Sequence, residues 1–260
     1  MYIATTHNLH FENIKLCLEN GKHVLCEKPF TVNAEQAKIL IALAQTQQCF
    51  MMEAVWTRFL PAIKQLPLLL AQGIIGEVHT VKANFSISGE FSAQHRLRNK
   101  ALAGGALLDL GLYPLTLAAL VFNEQPTNIQ SSAVLGKTGV DESSFYLLEY
   151  AQGQRAMLSC SFIDKAPTEA IISGSKGYIR LPNFLAAQTL ELYIGNEAVQ
   201  ILQFPFAEDA NFTFEIAHVM QCIRQDKTES DILPLAKTLA MMTTMDTIRA
   251  QWRLNYSNEC

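Results

Sequence analysis

Lys28 closes the run Gly21-Lys22-His23-Val24-Leu25-Cys26-Glu27-Lys28-Pro29-Phe30, a short apolar strand that ends in a carboxylate, an ammonium and a proline. In open α/β sheets the ligand crevice lies outside the carboxyl ends of the strands, so a lysine at this point can reach into it. Pro29 fixes its own φ and biases Lys28 to an extended backbone, which stops the strand and aims the side chain. The tripeptide alone reads equally well as an exposed strand end. A second grouping is Asp109 and Tyr113, four residues apart and therefore on one face of a helix. Gly104-Gly105, just ahead of them, allows a backbone or a ligand to come close. A free phenol titrates near ~10, too high for efficient proton exchange at neutral pH. A nearby ammonium favours the phenolate and lowers that value, and Lys28 is the ammonium at hand. Spacing alone also fits a buried tyrosine with a satisfied hydroxyl and a solvated aspartate.

The elements that must position these groups change character along the chain. Residues 3–5 read as a strand end. Asn8 reads as the cap of a helix carrying Ile14, Leu16, Cys17 and Leu18 inward and stopping at Asn20-Gly21. A strand over 24–26 follows. Asn33 then caps a helix running to about Gln47 with Ala37, Leu40, Ile41 and Ala44 at helical spacing, and a third strand covers 49–52. Such alternation implies a parallel sheet. Residues 57–72 read as helix, with Pro61 in the first turns. From Gly76 the pattern is mostly strand, with candidates over 78–88, 129–135, 143–150, 156–162, 170–173, 178–181 and 190–194. One helix over 105–121 interrupts them, and helices over 214–224 and 234–253 close the chain. The fold class is therefore α/β followed by α+β: a partial Rossmann-type parallel sheet, then a large, mainly antiparallel sheet. The expected division is 1–73, 74–232 and a closing segment over 233–260.

Composition narrows the function classes. The chain has 260 residues, 49% of them hydrophobic, enough for one large or two smaller cores. A net charge of -4 offers no basic field for nucleic acid. No uncharged apolar run reaches the roughly 18 residues of a membrane span. No signal peptide is evident at Met1, and a cytoplasmic location is expected. The six cysteines, at 17, 26, 49, 160, 222 and 260, show no C-x-x-C pair and read as reduced and scattered, with no zinc-ligand spacing. Phe85 and Phe162 read as core.

Three segments together resemble the Gfo/Idh/MocA family of NAD(P)-dependent oxidoreductases. They are Tyr2-Ile3-Ala4-Thr5-Thr6-His7-Asn8-Leu9-His10 with the Glu27-Lys28-Pro29 strand end, Met52 to Pro61, and Arg96 to Tyr113. Tyr113 in place of the family's more frequent histidine is similar to the dihydrodiol and D-xylose dehydrogenase branch. The resemblance runs from Met1 to about Tyr256. It implies hydride transfer between NAD or NADP and a secondary alcohol of a cyclic polyol, with no metal. Tyr113 would move the hydroxyl proton, Lys28 would orient that hydroxyl and tune Tyr113, and Asp109 would bind substrate or hold Lys28. Thr5, Thr6, His7, Asn8 and His10 would lie beside the cofactor's ribose and nicotinamide. Glu27 would take a ribose hydroxyl or pair with Lys28. Trp56 would wall the pocket, Arg58 would meet a phosphate or a substrate oxygen, and one of Arg96 and Arg98 would line the substrate site. The exposed face of the large sheet would make a homodimer or higher homo-oligomer.

One family feature is not found: no G-x-G-x-x-G occurs in the sequence. The glycines of that turn let the backbone approach the cofactor pyrophosphate at a helix N-terminus. By the size of such units, about 60 to 70 residues of βαβα would precede Met1 in the resembled family. The first visible strand should then be an uncovered sheet edge with exposed apolar surface. A non-catalytic sugar-binding or interaction protein that keeps the sheet-based dimer is the reading opposed to the enzyme.

Overall fold

The computed structural model describes residues 1–257, so Cys260 lies outside the described residues. The chain opens with three short parallel strands, β1 (Tyr2–Ile3), β2 (Val24–Glu27) and β3 (Met51–Ala54), in the order β1-β2-β3. Helices α1 (His10–Glu19) and α2 (Ala34–Thr46) make the crossovers. Asn33 caps α2 as expected, its side chain accepting from the Gln36 amide at 2.9 Å. Asn8 does not cap α1. It lies inside a single 3₁₀ turn, His7–Leu9, and accepts a hydrogen bond from the Thr6 hydroxyl. Leu16, expected inward, is exposed on α1, so the buried stripe is His10, Ile14 and Leu18. β1 is the sheet edge, and Met1, Tyr2 and Leu9 are exposed beside it, as the sequence implied.

The helix expected over 57–72 is broken in two. A 3₁₀ turn, Trp56–Phe59, ends at Leu60, whose extended backbone (ψ 139°) is what a following proline demands. Pro61 then starts α3 (Pro61–Ala71) from the position where its missing N–H costs nothing. The chain passes next into β4 (Val78–Ser86). The helix expected over 105–121 begins with a π-helical turn, Leu107–Gly111, and continues as α4 (Leu112–Phe122). Leu112 to Ala118 are all buried, which makes α4 a core helix. Residues 100–122 form the one described stretch long and apolar enough to cross a membrane, and 78% of its most apolar part is buried inside the protein.

The remaining strands are β5 (Asn128–Leu135), β6 (Asp141–Glu149), β7 (Arg155–Ser161), β8 (Glu169–Gly174), β9 (Gly177–Leu181), β10 (Thr189–Ile194) and β11 (Gln200–Gln203). β11 has no counterpart among the expected strands; it is a mostly exposed edge without a clear alternation. The eight-stranded sheet has the order β11-β10-β9-β8-β4-β7-β6-β5, antiparallel except where β4 pairs with β7. One face is covered by α4. On the other, Phe145 (59% exposed) and Met157 (42% exposed) stand on neighbouring strands. Helices α5 (Thr213–Arg224) and α6 (Leu235–Trp252) close the structure, and α6 packs on both α2 and β5, joining the two sheets.

Three buried carboxyls tie stability to pH. Burial raises Glu53 to about 7, Asp141 to about 6 and Glu215 to about 8. A carboxyl raised in the folded state keeps a proton that the unfolded chain has released. Its contribution is full below the ordinary value near ~4 and is lost as pH climbs through the folded value. Stability is therefore expected to fall between about pH 5 and pH 8. Glu53→Gln keeps the oxygen that accepts from the Phe30 amide. It should remove one group's share of the slope, at most about 1.4 kcal/mol per pH unit. Urea unfolding across that range measures both slopes; identical slopes for the two proteins would refute the assignment.

Candidate active site

The carboxyl ends of β1 and β2 open onto a cleft of about 550 Å³. Its walls come from the segment after β1 (Ala4 to His7), from Glu27 and Lys28 at the end of β2, and from Arg96, Leu102 and Asp109 of the large-sheet domain. The strand end delivers Lys28 as its spacing suggested. Its Nζ donates to the Asp109 carboxylate at 2.9 Å and to the Asp109 main-chain oxygen at 2.7 Å. The side chains are 13% and 4% exposed, so this is a largely dry ion pair. Arg96 Nη1 reaches the same carboxylate oxygen at 2.8 Å, and His7 Nε2 stands 3.6 Å from it. Burial alone would raise the Asp109 carboxyl, but Lys28, His7 and Arg96 together hold it well below the usual range. Burial pulls the other way on Lys28, and its anionic neighbourhood keeps it a cation, with its pKa raised.

Local backbone devices fix this cluster. Ala103 adopts a left-handed conformation, and its carbonyl receives His7 Nδ1 at 2.9 Å. Gly105 takes φ +133°, open essentially to glycine alone, and a Cβ there would sit 2.3 Å from the Asp141 carboxylate. That carboxylate accepts from the Leu107 amide at 2.7 Å and so caps the π turn that carries Asp109. Tyr256 donates to the Gly104 carbonyl at 2.6 Å. Of these supports the sequence showed only the close approach at Gly104-Gly105, where the Arg96 and Leu97 carbonyls pass beside Gly104. Asp141 looks like an ordinary strand-opening residue until the fold brings it 34 positions back along the chain.

Tyr113 is buried and does not line the cleft; it stands behind Lys28, whose Nζ lies 5.0 Å from its ring centre. Trp56 Nε1 donates to its hydroxyl at 3.0 Å, and Phe85 meets its ring edge-on. The expected lowering of the phenol does not prevail. Burial raises its pKa and outweighs the pull of Lys28, so Tyr113 is a neutral phenol. Trp56 thus backs the tyrosine instead of walling the cleft. Thr5 and Thr6 are at the cleft, with Thr5 accepting from Asn13. Glu27 lines it too and is bonded to the Tyr2 hydroxyl, not to Lys28.

Other expected site residues are elsewhere. His10 is fully buried, with its ring nitrogens 2.8 Å from the Pro29 carbonyl and 3.1 Å from that of Thr5, so it braces the backbone under the cleft. Arg58 points away, donates to the Ile232 carbonyl at 3.1 Å and lines a separate small pocket with Glu53 and Thr116. Burial lowers it to about 10. Arg98 pairs with Glu142 at 3.5 Å, leaving Arg96 as the arginine of the site. His218, Cys222 and Asp231 converge towards the C-terminal end of α5, a grouping of the kind that can hold a metal ion. Spacing along the chain could not show it, because Asp231 comes from a separate loop.

The lining suits the ribose and nicotinamide end of a dinucleotide. Small side chains at Ala4 and Thr5 leave room, the threonine hydroxyls and Glu27 can bond ribose hydroxyls, and Lys28 supplies charge. No glycine-rich strand-to-helix turn precedes α1 among the described residues, so the arrangement offers no pyrophosphate cradle of that kind.

A short parallel sheet with a lysine at its crevice is joined by a buried ion pair to a large, mainly antiparallel sheet, and the chain's likeness to known proteins makes it an oxidoreductase acting on CH–OH groups. Residues 1–55 match the family described as "Oxidoreductase family, NAD-binding Rossmann fold", and residues 63–180 match "GFO/IDH/MocA C-terminal domain". The chain belongs to the Gfo/Idh/MocA oxidoreductase family, whose cofactor is a nicotinamide dinucleotide. It is 35% identical to trans-1,2-dihydrobenzene-1,2-diol dehydrogenase of Xenopus tropicalis over 98% of this chain and 79% of that one. The human enzyme of the same name is 35% identical over 95% and 75%. Among solved structures, a 3-ketoreductase from Actinomadura kijaniata in complex with NADP superimposes with a TM-score of 0.82 at 26% identity, covering 96% of this chain and 77% of that one. An aldose-aldose oxidoreductase from Caulobacter crescentus has the same fold, with a TM-score of 0.86 at 21% identity, over 97% and 76%.

Proposed function

We propose that the chain catalyses reversible oxidation of a secondary alcohol on a cyclic polyol, a sugar or a trans-dihydrodiol, using NAD or NADP. The observation that carries this reading is Lys28, held as a cation by Asp109 at the mouth of the crevice. Two of its three N–H donors go to Asp109, and the third is left to orient a substrate oxygen. Nicotinamide, when bound, accepts or supplies the hydride. Thr5, Thr6 and Glu27 hold its ribose, with His7 and Asn8 on the same loop. Arg96, half exposed over Asp109, takes a substrate hydroxyl on its free side. Tyr113, off the cleft wall behind Lys28, gives its phenolic proton to a carbonyl in the reducing direction and receives one in the oxidising direction once the substrate oxygen reaches past Lys28. Dihydrodiol-dehydrogenase relatives and the 3-ketoreductase likeness support this substrate class. The division into a nucleotide-binding part over 1–73, a substrate part over 74–232 and a closing segment over 233–260 belongs to the same reading. So does a homodimer through the face bearing Phe145 and Met157, in the cytoplasm.

Titration of the purified chain with NADH and NADPH, followed by nicotinamide fluorescence, tests the cofactor half. Saturable binding at micromolar concentration, weakened in Lys28→Ala, is expected. A folded protein that binds neither dinucleotide would overturn the catalytic reading in favour of a sugar-binding or interaction role.

A further inference from the structure

Three side chains at the C-terminal end of α5 face one another away from the cleft. His218 and Cys222 are one helical turn apart, the i, i+4 spacing that places two ligands on one face. Asp231 comes from the loop that follows. His218 Nε2 lies 3.3 Å from Cys222 Sγ and 3.5 Å from Asp231 Oδ1. For tetrahedral zinc with Zn–N of ~2.0 Å, Zn–S of ~2.3 Å and Zn–O of ~2.1 Å, neighbouring ligand atoms stand roughly 3.3–3.6 Å apart. The His218 edges of the triangle already match that spacing.

A second observation concerns the histidine tautomer. The Ser230 hydroxyl oxygen accepts from the amides of Ile232 and Leu233, at 3.1 and 3.0 Å. Its own hydrogen therefore goes to His218 Nε2, 2.8 Å away. Nε2 is thus the acceptor in the metal-free protein, and a metal ion would take that same lone pair and displace the Ser230 hydrogen bond. Phe59 lies against the imidazole with ring centres 5.1 Å apart, which fixes the ring's orientation. Asp231 divides its two oxygens: Oδ2 takes the Lys227 ammonium at 3.3 Å, while Oδ1 faces His218. Lys227 then acts as an outer partner that orients the carboxylate.

We propose that His218, Cys222 and Asp231 bind a zinc-class divalent cation, with the fourth position open to water. Binding exchanges the Cys222 thiol proton for the metal and breaks no other covalent bond. The ion would fasten α5 to the 226–233 segment. That segment is itself bonded to β3 through the Thr228 carbonyl and to Arg58 through the Ile232 carbonyl. The site is thus a clamp on the back of the small sheet and takes no part in hydride transfer.

The test is titration of the chelator-stripped chain with Co²⁺ and, in competition with a chromophoric chelator, with Zn²⁺. One ion per chain is expected, with thiolate-to-cobalt charge-transfer absorption and a raised thermal midpoint. Loss of a true outer partner costs about 10–100-fold, whereas Ser230→Ala only frees the Nε2 lone pair and should not weaken zinc. Cys222→Ser should remove the charge-transfer absorption and weaken zinc by more than that range. Asp231→Asn, on an exposed side chain that folding does not need, should also weaken binding. Absence of thiolate absorption in the wild-type complex, or zinc affinity unchanged in both Cys222→Ser and Asp231→Asn, would overturn the site.

Discussion

Tyr113→Phe should lower kcat by about 10²–10⁴-fold while leaving nicotinamide affinity unchanged. The argument rests on where the hydroxyl's hydrogen can go. Trp56 already donates to the oxygen, so the phenolic hydrogen is not needed to satisfy the indole. Burial keeps the phenol protonated against the pull of Lys28, so it carries a proton to give to a carbonyl but, with its pKa raised, exchanges it slowly at neutral pH. In the oxidising direction the same group must first lose its proton, so alcohol oxidation by the wild type should accelerate as pH rises. The phenylalanine variant should lose both the rate and that pH dependence. It leaves the Trp56 N–H without its acceptor, a stability cost of about 1–3 kcal/mol. Steady-state rates against pH, with a sugar and a trans-dihydrodiol as candidate substrates, measure the effect. A kcat within tenfold of wild type, less than about 1.4 kcal/mol of barrier, would remove Tyr113 from the chemistry.

Asp109→Asn should be the most destabilising single-atom exchange in the site. Its carboxylate is the common anion of Lys28, Arg96 and His7. Arg96 is half exposed and can return to water, but Lys28 is left as a largely buried cation with only neutral acceptors, the main-chain oxygen of residue 109 and the asparagine amide oxygen. Stranding a buried charge costs about 3–5 kcal/mol. The pH dependence follows from the direction of the shift. The Asp109 pKa is depressed, so its contribution is present above the ordinary aspartate value and is lost as pH falls through the lower folded value. The variant should therefore lose stability at neutral pH and show a shallower acid limb. Without the anion, burial draws the Lys28 pKa downward, and a new limb should enter the pH–rate profile from the alkaline side. Unfolding by urea at neutral and acid pH decides the matter. A loss below about 1 kcal/mol would mean that Arg96 and His7, not Lys28, carry the pairing.

The parts of this site that lie along one strand were legible from the sequence. Glu27-Lys28-Pro29 announces a strand end, and β2 stops where it should. Asp109 and Tyr113 were legible as a pair, but not the way they are held. A π turn has no reliable signature in residue types, and the capping carboxylate of Asp141 arrives from another strand. The misplacement of His10 and Arg58 has one cause. Both follow strand ends that point to the crevice, yet each is claimed by backbone carbonyls that spacing cannot reveal. Asn8 failed as a cap because the chain spends one 3₁₀ turn before α1 begins. Tyr113's raised pKa reflects burial by Phe85 and Trp56, a three-dimensional quantity that local charge reasoning overlooked.

The π turn between Leu107 and Gly111 makes the length of this segment part of its chemistry. Each residue added to or removed from an α-helix turns everything beyond it by about 100°. Removing one residue there would restore ordinary winding, yet it would swing Asp109 off Lys28 if α4 kept its packing, or carry Tyr113 away from Trp56 if Asp109 stayed. Substitutions on this stretch can be graded and compensated; a change in residue count cannot. The segment should therefore tolerate drift in its apolar side chains while its length stays frozen, the reverse of what a surface loop does.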